Sequence, residues 1–105
     1  MINNIEKYKR GWLVGDFEPA LIRNKDVEVA LKYYEAGDVE EEHVHRIATE
    51  FTVVVDGVIE MNGKPYMVGE IIEVKPGEYN RFKSITNSCV LAIKTPSVIG
   101  DKYTK

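Results

Sequence analysis

Residues 37 to 57 read GDVEEEHVHRIATEFTVVVDG, and both histidines of the 105-residue chain lie within them, two positions apart at His43 and His45. Whether this stretch is helix or strand decides the fold. As a helix, Val39, His43, Ile47 and Phe51 would form one stripe at i+4 spacing, and the two imidazoles would project about 200° apart at 3.6 residues per turn. As a strand, period 2 puts both on one face, where they can converge on a single metal ion. Gly37 opens the stretch, FTVVVDG continues it, and the chain around it is built from short strands, so the strand is the consistent reading.

Downstream, Asp56-Gly57 separates FTVVV from VIEM and Asn62-Gly63 separates VIEM from KPYMV. Both dipeptides are type I′ hairpin signals and predict three consecutive antiparallel strands. IIEV at 71 to 74 is closed by Lys75-Pro76-Gly77, and CVLAIKT at 89 to 95 by Pro96. Upstream, LVGDF, ALIR and VEVALKYY are short runs parted by turn signals near Gly15-Asp16 and Asn24-Lys25-Asp26. Turn signals every roughly 8 to 12 residues, with no long amphipathic helix, predict an all-β sandwich or barrel. IEKYKRGW is open between a helical turn and an arm, and the tail GDKYTK is expected to be frayed at its end.

The length suits one domain, and 44% hydrophobic with 30% charged residues describes a folding, soluble chain. A formal charge of -3, from 14 basic and 17 acidic side chains, gives no footprint for a phosphate backbone, so nucleic acid is not an expected partner. MINNIEKYKRGWLVGD lacks the apolar run of a secretory signal and no stretch approaches the ~20 apolar residues of a membrane span, so a cytoplasmic protein without membrane partners is expected. Cys89 is alone, which excludes an intrachain disulfide and a multi-cysteine zinc site, and within CVLAI it reads as a small core residue.

Glu50 stands five residues beyond His45, so a turn near Arg46 to Thr49 would let a neighbouring strand bring its carboxylate beside the imidazoles. Two histidines and one carboxylate make a facial triad with coordination positions left open. The opposing reading has both histidines as partly exposed strand residues and Glu50 as a solvated acid. The spacing Gly37-x5-His43-x-His45-x4-Glu50-x6-Gly57 resembles the first conserved motif of the cupin superfamily at every fixed position. A second motif, residues 69 to 84, resembles that family less fully: Gly69 and Pro76-Gly77 match. Lys75 replaces a usual proline, Asn80 stands where a third histidine ligand is usual, and Ser84 holds a later asparagine position. Residues 1 to 36 are compatible with cupin strands.

The resemblance implies a single cupin domain over residues 1 to 105. Its fold would be a jelly-roll β-barrel, the double-stranded β-helix, often assembled as a homodimer. It implies a divalent transition metal (Fe, Mn, Ni or Zn) held inside by His43, His45 and Glu50, with Asn80 at the fourth ligand position. An amide oxygen is a weaker donor to such metals than imidazole. The function implied is a metal-binding barrel with a pocket for a small polar organic molecule, supporting oxygenase, isomerase or lyase chemistry. Two other readings remain open: a non-catalytic binding or sensing barrel, and a metal-free sugar-modifying enzyme in which a histidine is the general base.

Among the neighbours, Glu35, Asp38, Glu40, Glu41 and Glu42 read as a solvated loop at the pocket mouth. Thr52 and Val54 share the parity of Glu50, and Phe82 that of Asn80, so all three are expected to line the barrel. Tyr33, Tyr34 and Tyr79 are candidate hydroxyl donors, and Arg23, Arg81 and Lys83 candidate clamps for a ligand anion. Trp12 would close one barrel end or pack across a dimer interface.

Overall fold

The structure, a computed structural model, describes residues 2 to 104. Two short 3-10 turns, Ile5–Lys7 and Lys9–Gly11, precede eleven strands. These are β1 (Trp12–Gly15), β2 (Ile22–Arg23), β3 (Glu28–Tyr34), β4 (Val39–Val44), β5 (Thr49–Asp56), β6 (Val58–Met61), β7 (Lys64–Met67), β8 (Ile71–Val74), β9 (Tyr79–Ser84), β10 (Ser88–Thr95) and β11 (Tyr103–Thr104). They form a six-stranded sheet in the order β2-β1-β3-β10-β5-β8 and a five-stranded sheet in the order β11-β4-β9-β6-β7.

One hairpin, doubled back and wound up, generates this topology. Its tip is Asn62-Gly63, where φ values of 51° and 82° supply the two left-handed residues that a type I′ turn requires. From the tip the outgoing and returning arms pair antiparallel as β6 with β7, β5 with β8, β4 with β9 and β3 with β10. Successive pairs alternate between the two sheets, so the ribbon crosses from one sheet to the other three times. At each crossing the arms stay hydrogen-bonded: Gly69 N–H to the Val54 carbonyl at 2.9 Å, Gly77 N–H to His45 at 2.8 Å, and Gly37 N–H to Ser84 at 2.8 Å.

This winding corrects one expectation. β5 and β6 are not hairpin partners, because Asp56-Gly57 is the first crossing between sheets and not a turn within one. Only Gly57 of the pair has a positive φ, and a Cβ there would lie 2.2 Å from the Asn87 carbonyl oxygen. A close backbone approach at a corner is therefore what the glycine provides.

Val54, Ile59, Met61, Phe82 and Val90 form the core, with Tyr34, Tyr66 and Ile72 packed against it. The apolar core fills one end of the barrel, and the other end is polar. Thr52, Val54 and Phe82 face inward as their parity requires, all under 6% exposed. Cys89 is buried and unpaired. The chain end is not frayed through residue 104: Asp101 is buried and Tyr103–Thr104 pairs with Val44 and His43 of β4, while Lys105 lies outside the described residues. No helix among the described residues is long and apolar enough to cross a membrane.

Candidate metal centre

β4 is a strand that carries His43 and ends at Val44, and His45 follows directly after it. The rings of His43 and His45 lie on one face with centroids 5.0 Å apart. Glu50 reaches them from the other sheet, because the second crossing, residues 46 to 48, carries the chain from β4 to β5 across the barrel. One ligating atom from each of His43, His45 and Glu50 can be chosen so that all lie within 4.8 Å of one another, and all three residues are buried. Asn80 sits directly opposite His43 in the β4–β9 register and is 4% exposed.

Backbone carbonyls set the proton positions on both rings. The Nδ1–H of His43 donates to the Glu41 carbonyl at 2.9 Å, and the Nδ1–H of His45 donates to the Asp101 carbonyl. A carbonyl only accepts, so in each neutral ring the Nε2 lone pair is left facing the barrel. Burial pushes His43 below its ordinary value, favouring that neutral form against the Glu41 hydrogen bond. Glu50 Oε2 lies 3.2 Å from His45 Nε2 but without hydrogen-bond alignment, and both it and Asn80 Oδ1 are buried with no hydrogen-bond partner. The two imidazoles and the Glu50 carboxylate thus meet in one buried cluster, with the buried Asn80 opposite His43 in the register. A shared proton can satisfy His45 and Glu50, whereas a cation satisfies the set, and two imidazoles, a carboxylate and an amide oxygen suit a borderline divalent ion. Burial alone would raise the Glu50 carboxyl, but a proton shared from His45, with Lys94 and Lys32, outweighs it and holds the group below its usual value.

The polar end holds more charge than the motifs announce. A bulge in β4 between Glu40 and His43 inserts one residue, so Glu40 faces inward although its parity is opposite to that of the histidines. Its Oε1 accepts from the Tyr34 hydroxyl and lies 3.4 Å from Lys32 Nζ. Burial would raise the Glu40 carboxyl, yet Lys32 and the two hydrogen bonds bring it below its usual value. Burial likewise lowers Lys32 and raises Tyr34. The expectation of a solvated acidic loop therefore fails at Glu40. Across the floor, Lys94 pairs in register with Glu28 on one side and Glu50 on the other, and its Nζ is 3.3 Å from Glu28. Trp12 closes the mouth, with Lys32 Nζ and Lys94 Nζ at 4.9 and 4.7 Å from its ring centroid.

Of the other candidates, Tyr34 is inside, while Tyr33 and Tyr79 are exposed. Arg23, Arg81 and Lys83 all point outward, Arg23 to Asp16 and Glu18, Arg81 to Glu42, so the interior cations are Lys32 and Lys94 instead. The signal for Lys32 was present in VEVALKYY, where period 2 puts Glu28, Ala30, Lys32 and Tyr34 on one face. Asp101 had no local signal. Its carboxylate accepts from the backbone N–H groups of Arg46, Ile47 and Ala48 at 2.9, 3.1 and 2.9 Å, clasping the crossing that separates the histidines from Glu50.

No family model matches the chain, and no curated protein sequence does. Solved structures do. An uncharacterised conserved protein with a double-stranded β-helix domain from Klebsiella pneumoniae is 19% identical over 94% of this chain and 87% of its own, with a TM-score of 0.73. An RmlC-like cupin from Desulfovibrio desulfuricans is 18% identical over 71% and 76%, with a TM-score of 0.62. The DMSP lyase DddQ from Ruegeria pomeroyi is 15% identical over 90% of this chain and 49% of its own, with a TM-score of 0.74. At these identities the likeness is one of fold, and the fold is the cupin double-stranded β-helix.

The clasp gives a pH-dependent prediction. Burial would raise Asp101, but the three N–H donors outweigh it and hold it below its ordinary 3.8. Its contribution is therefore complete above that value and lost as pH falls through the lower, folded-state value. Asp101→Asn should lower Tm by roughly 5 °C or more at neutral pH, with the gap to wild type closing toward about pH 3. Equal Tm values at neutral pH would show that the carboxylate does not hold the crossing.

Proposed function

We propose that this cupin barrel binds a divalent transition metal through His43, His45 and Glu50, with Asn80 beside them, and takes a small polar organic molecule at the Trp12 mouth. The observation that carries the reading is that ligating atoms of His43, His45 and Glu50 lie within 4.8 Å of one another in a buried position, with the Glu50 Oε2 left without a hydrogen-bond partner. A bound metal would supply Lewis-acid activation of an oxygen-bearing ligand, the chemistry on which isomerase or lyase reactions draw. The chain's own residues do the rest. Lys32 and Lys94 are held against the Trp12 ring, and the Tyr34 hydroxyl holds a proton at Glu40 Oε1. Lyase activity stands in the name of one structural neighbour and supports that class by analogy of fold.

The proposal includes a homodimer. On the outer face of β3, β10, β5 and β8, Leu31, Leu91 and Phe51 are only partly covered, while Tyr33 and Ile71 are 68% and 63% exposed. Four strands about 4.8 Å apart and about seven residues long at ~3.4 Å per residue present roughly 450 Å² in projection. With side-chain relief this approaches the ~800 Å² of accessible area that each partner buries in a standard interface. A second copy offers an equally apolar, self-complementary face.

Three outcomes are expected. Mn2+ should raise the Tm of the wild type but not of His45→Ala, and its affinity should weaken by about tenfold or more between about pH 8 and pH 5 as protons compete for the imidazoles. Calorimetry and thermal melts check both, and equal affinity at the two pH values would exclude histidine ligation. In sedimentation the wild type should run as a dimer and Leu91→Lys as a folded monomer; a monomeric wild type would exclude the assembly.

A further inference from the structure

The histidine end of the barrel is backed by a segment that the core does not hold. Residues 97 to 104 contribute no side chain to the buried hydrophobic core, and only Ser97 and Asp101 among them are buried. Between these two polar anchors Ile99 is 76% exposed, and a turn is closed by the Asp101 N–H on the Val98 carbonyl at 3.3 Å. Ser97 is fixed three times: its N–H donates to the Lys25 carbonyl at 2.9 Å, and its hydroxyl donates to Glu28 Oε2 at 2.7 Å and accepts from the Asp16 N–H at 2.9 Å. Beyond Asp101, the two-residue β11 is the margin of the five-stranded sheet, and the Arg46 guanidinium lies 3.8 Å from the Tyr103 ring centroid. A segment held by hydrogen bonds and one ring contact, with little apolar burial, opens at a smaller cost than the whole fold.

This segment reaches both histidines through its backbone. Thr104 pairs with His43 and Tyr103 with Val44, and the Asp101 carbonyl takes the Nδ1–H of His45. That carbonyl decides which ring nitrogen of His45 carries the proton. With the segment docked the proton stands on Nδ1, and the Nε2 lone pair is open to an ion. With the segment lifted, the proton is free to stand on Nε2, which lies 3.2 Å from Glu50 Oε2, and a hydrogen bond between them would occupy two ligands at once. A cation on Nε2 also draws electron density from the ring, which makes the Nδ1–H a stronger donor to the carbonyl. Each event therefore favours the other, and such coupling is reciprocal.

We propose that residues 97 to 104 form a strap whose docking is coupled to the loading of the metal site, with Asp101 as the positioning residue between them. This rests on the metal reading above and gives that site a means of regulation. Whatever lifts the strap weakens the hold on the ion, and loss of the ion loosens the strap. The Asp101 carboxylate serves the same end as its carbonyl: by holding the N–H groups of Arg46, Ile47 and Ala48 it keeps that carbonyl against the His45 ring.

A Mn2+ titration of the wild type followed by electron paramagnetic resonance comes first, and if no Mn2+ binds, the metal reading and this inference fall together. Hydrogen exchange of the intact chain then reads the coupling. With Mn2+ bound, the amides of residues 98 to 104 should exchange at least about fivefold more slowly, while those of β7, an exposed strand at the opposite margin of the same sheet, should not change. In the reverse direction, Ser97→Ala and Tyr103→Ala leave every ligand in place and should each weaken Mn2+ binding about fivefold or more, whereas Tyr103→Phe should bind as the wild type does. Ile72→Ala, a change beside the apolar core, should lower Tm and leave Mn2+ affinity unaltered, which separates the strap from a general loss of stability. If Mn2+ binds but does not slow exchange of the strap, or both alanine variants of the strap bind it as tightly as the wild type, or Ile72→Ala weakens it as much as they do, the inference is wrong and the metal reading stands.

Discussion

The fold depends on a single two-stranded ribbon staying paired while it changes sheets. From the tip at Asn62-Gly63 each strand of the outgoing arm pairs with one of the returning arm, so the position of Asn80 opposite His43 follows from the register of the ribbon. Each crossing adds a second constraint, since both arms must turn the corner together. At the second corner the returning Gly77 N–H holds the His45 carbonyl while the Asp101 side chain holds the three N–H groups that follow. This corner separates two imidazoles on one sheet from a carboxylate on the other, and so it creates the space they enclose.

Sequence spacing, barrel topology and proton placement then act on the same atoms. The five-residue interval from His45 to Glu50 is the length needed to change sheets and point inward again. The carbonyls of Glu41 and Asp101 fix which ring nitrogen carries the proton, and the ribbon register fixes where the amide of Asn80 stands. The outcome is a set of buried acceptors without donors, an arrangement that proteins avoid unless something satisfies it. The ion pairs around it, Lys32 with Glu40 and Lys94 with Glu28, stand on either side of Trp12 and leave Glu50 facing His45.

Most of this fold is legible in the amino-acid order because strand signals are local. Alternation in VIEM and the Asn62-Gly63 turn need no distant information, and the spacing around His43, His45 and Glu50 is a local pattern as well. What was not legible is what depends on pairing. Asp56-Gly57 carries the composition of a hairpin turn, yet contact with Asn87, thirty residues on, makes it a corner. Glu40 looks like one acid in a solvated run until a one-residue bulge against β9 turns it inward. Asp101 gives no sign of its role, because the groups it binds lie more than fifty positions upstream.

X-ray absorption on Zn2+- or Ni2+-loaded protein, purified without a histidine tag, tests the central claim most directly, because it reads the ligands around the ion irrespective of activity. The account predicts a nitrogen and oxygen first shell at about 2.0–2.2 Å with the outer-shell scattering of two imidazole rings and no sulfur. A shell of oxygen alone, without imidazole scattering, would place the ion elsewhere and leave the buried acceptors of this barrel without the partner proposed for them.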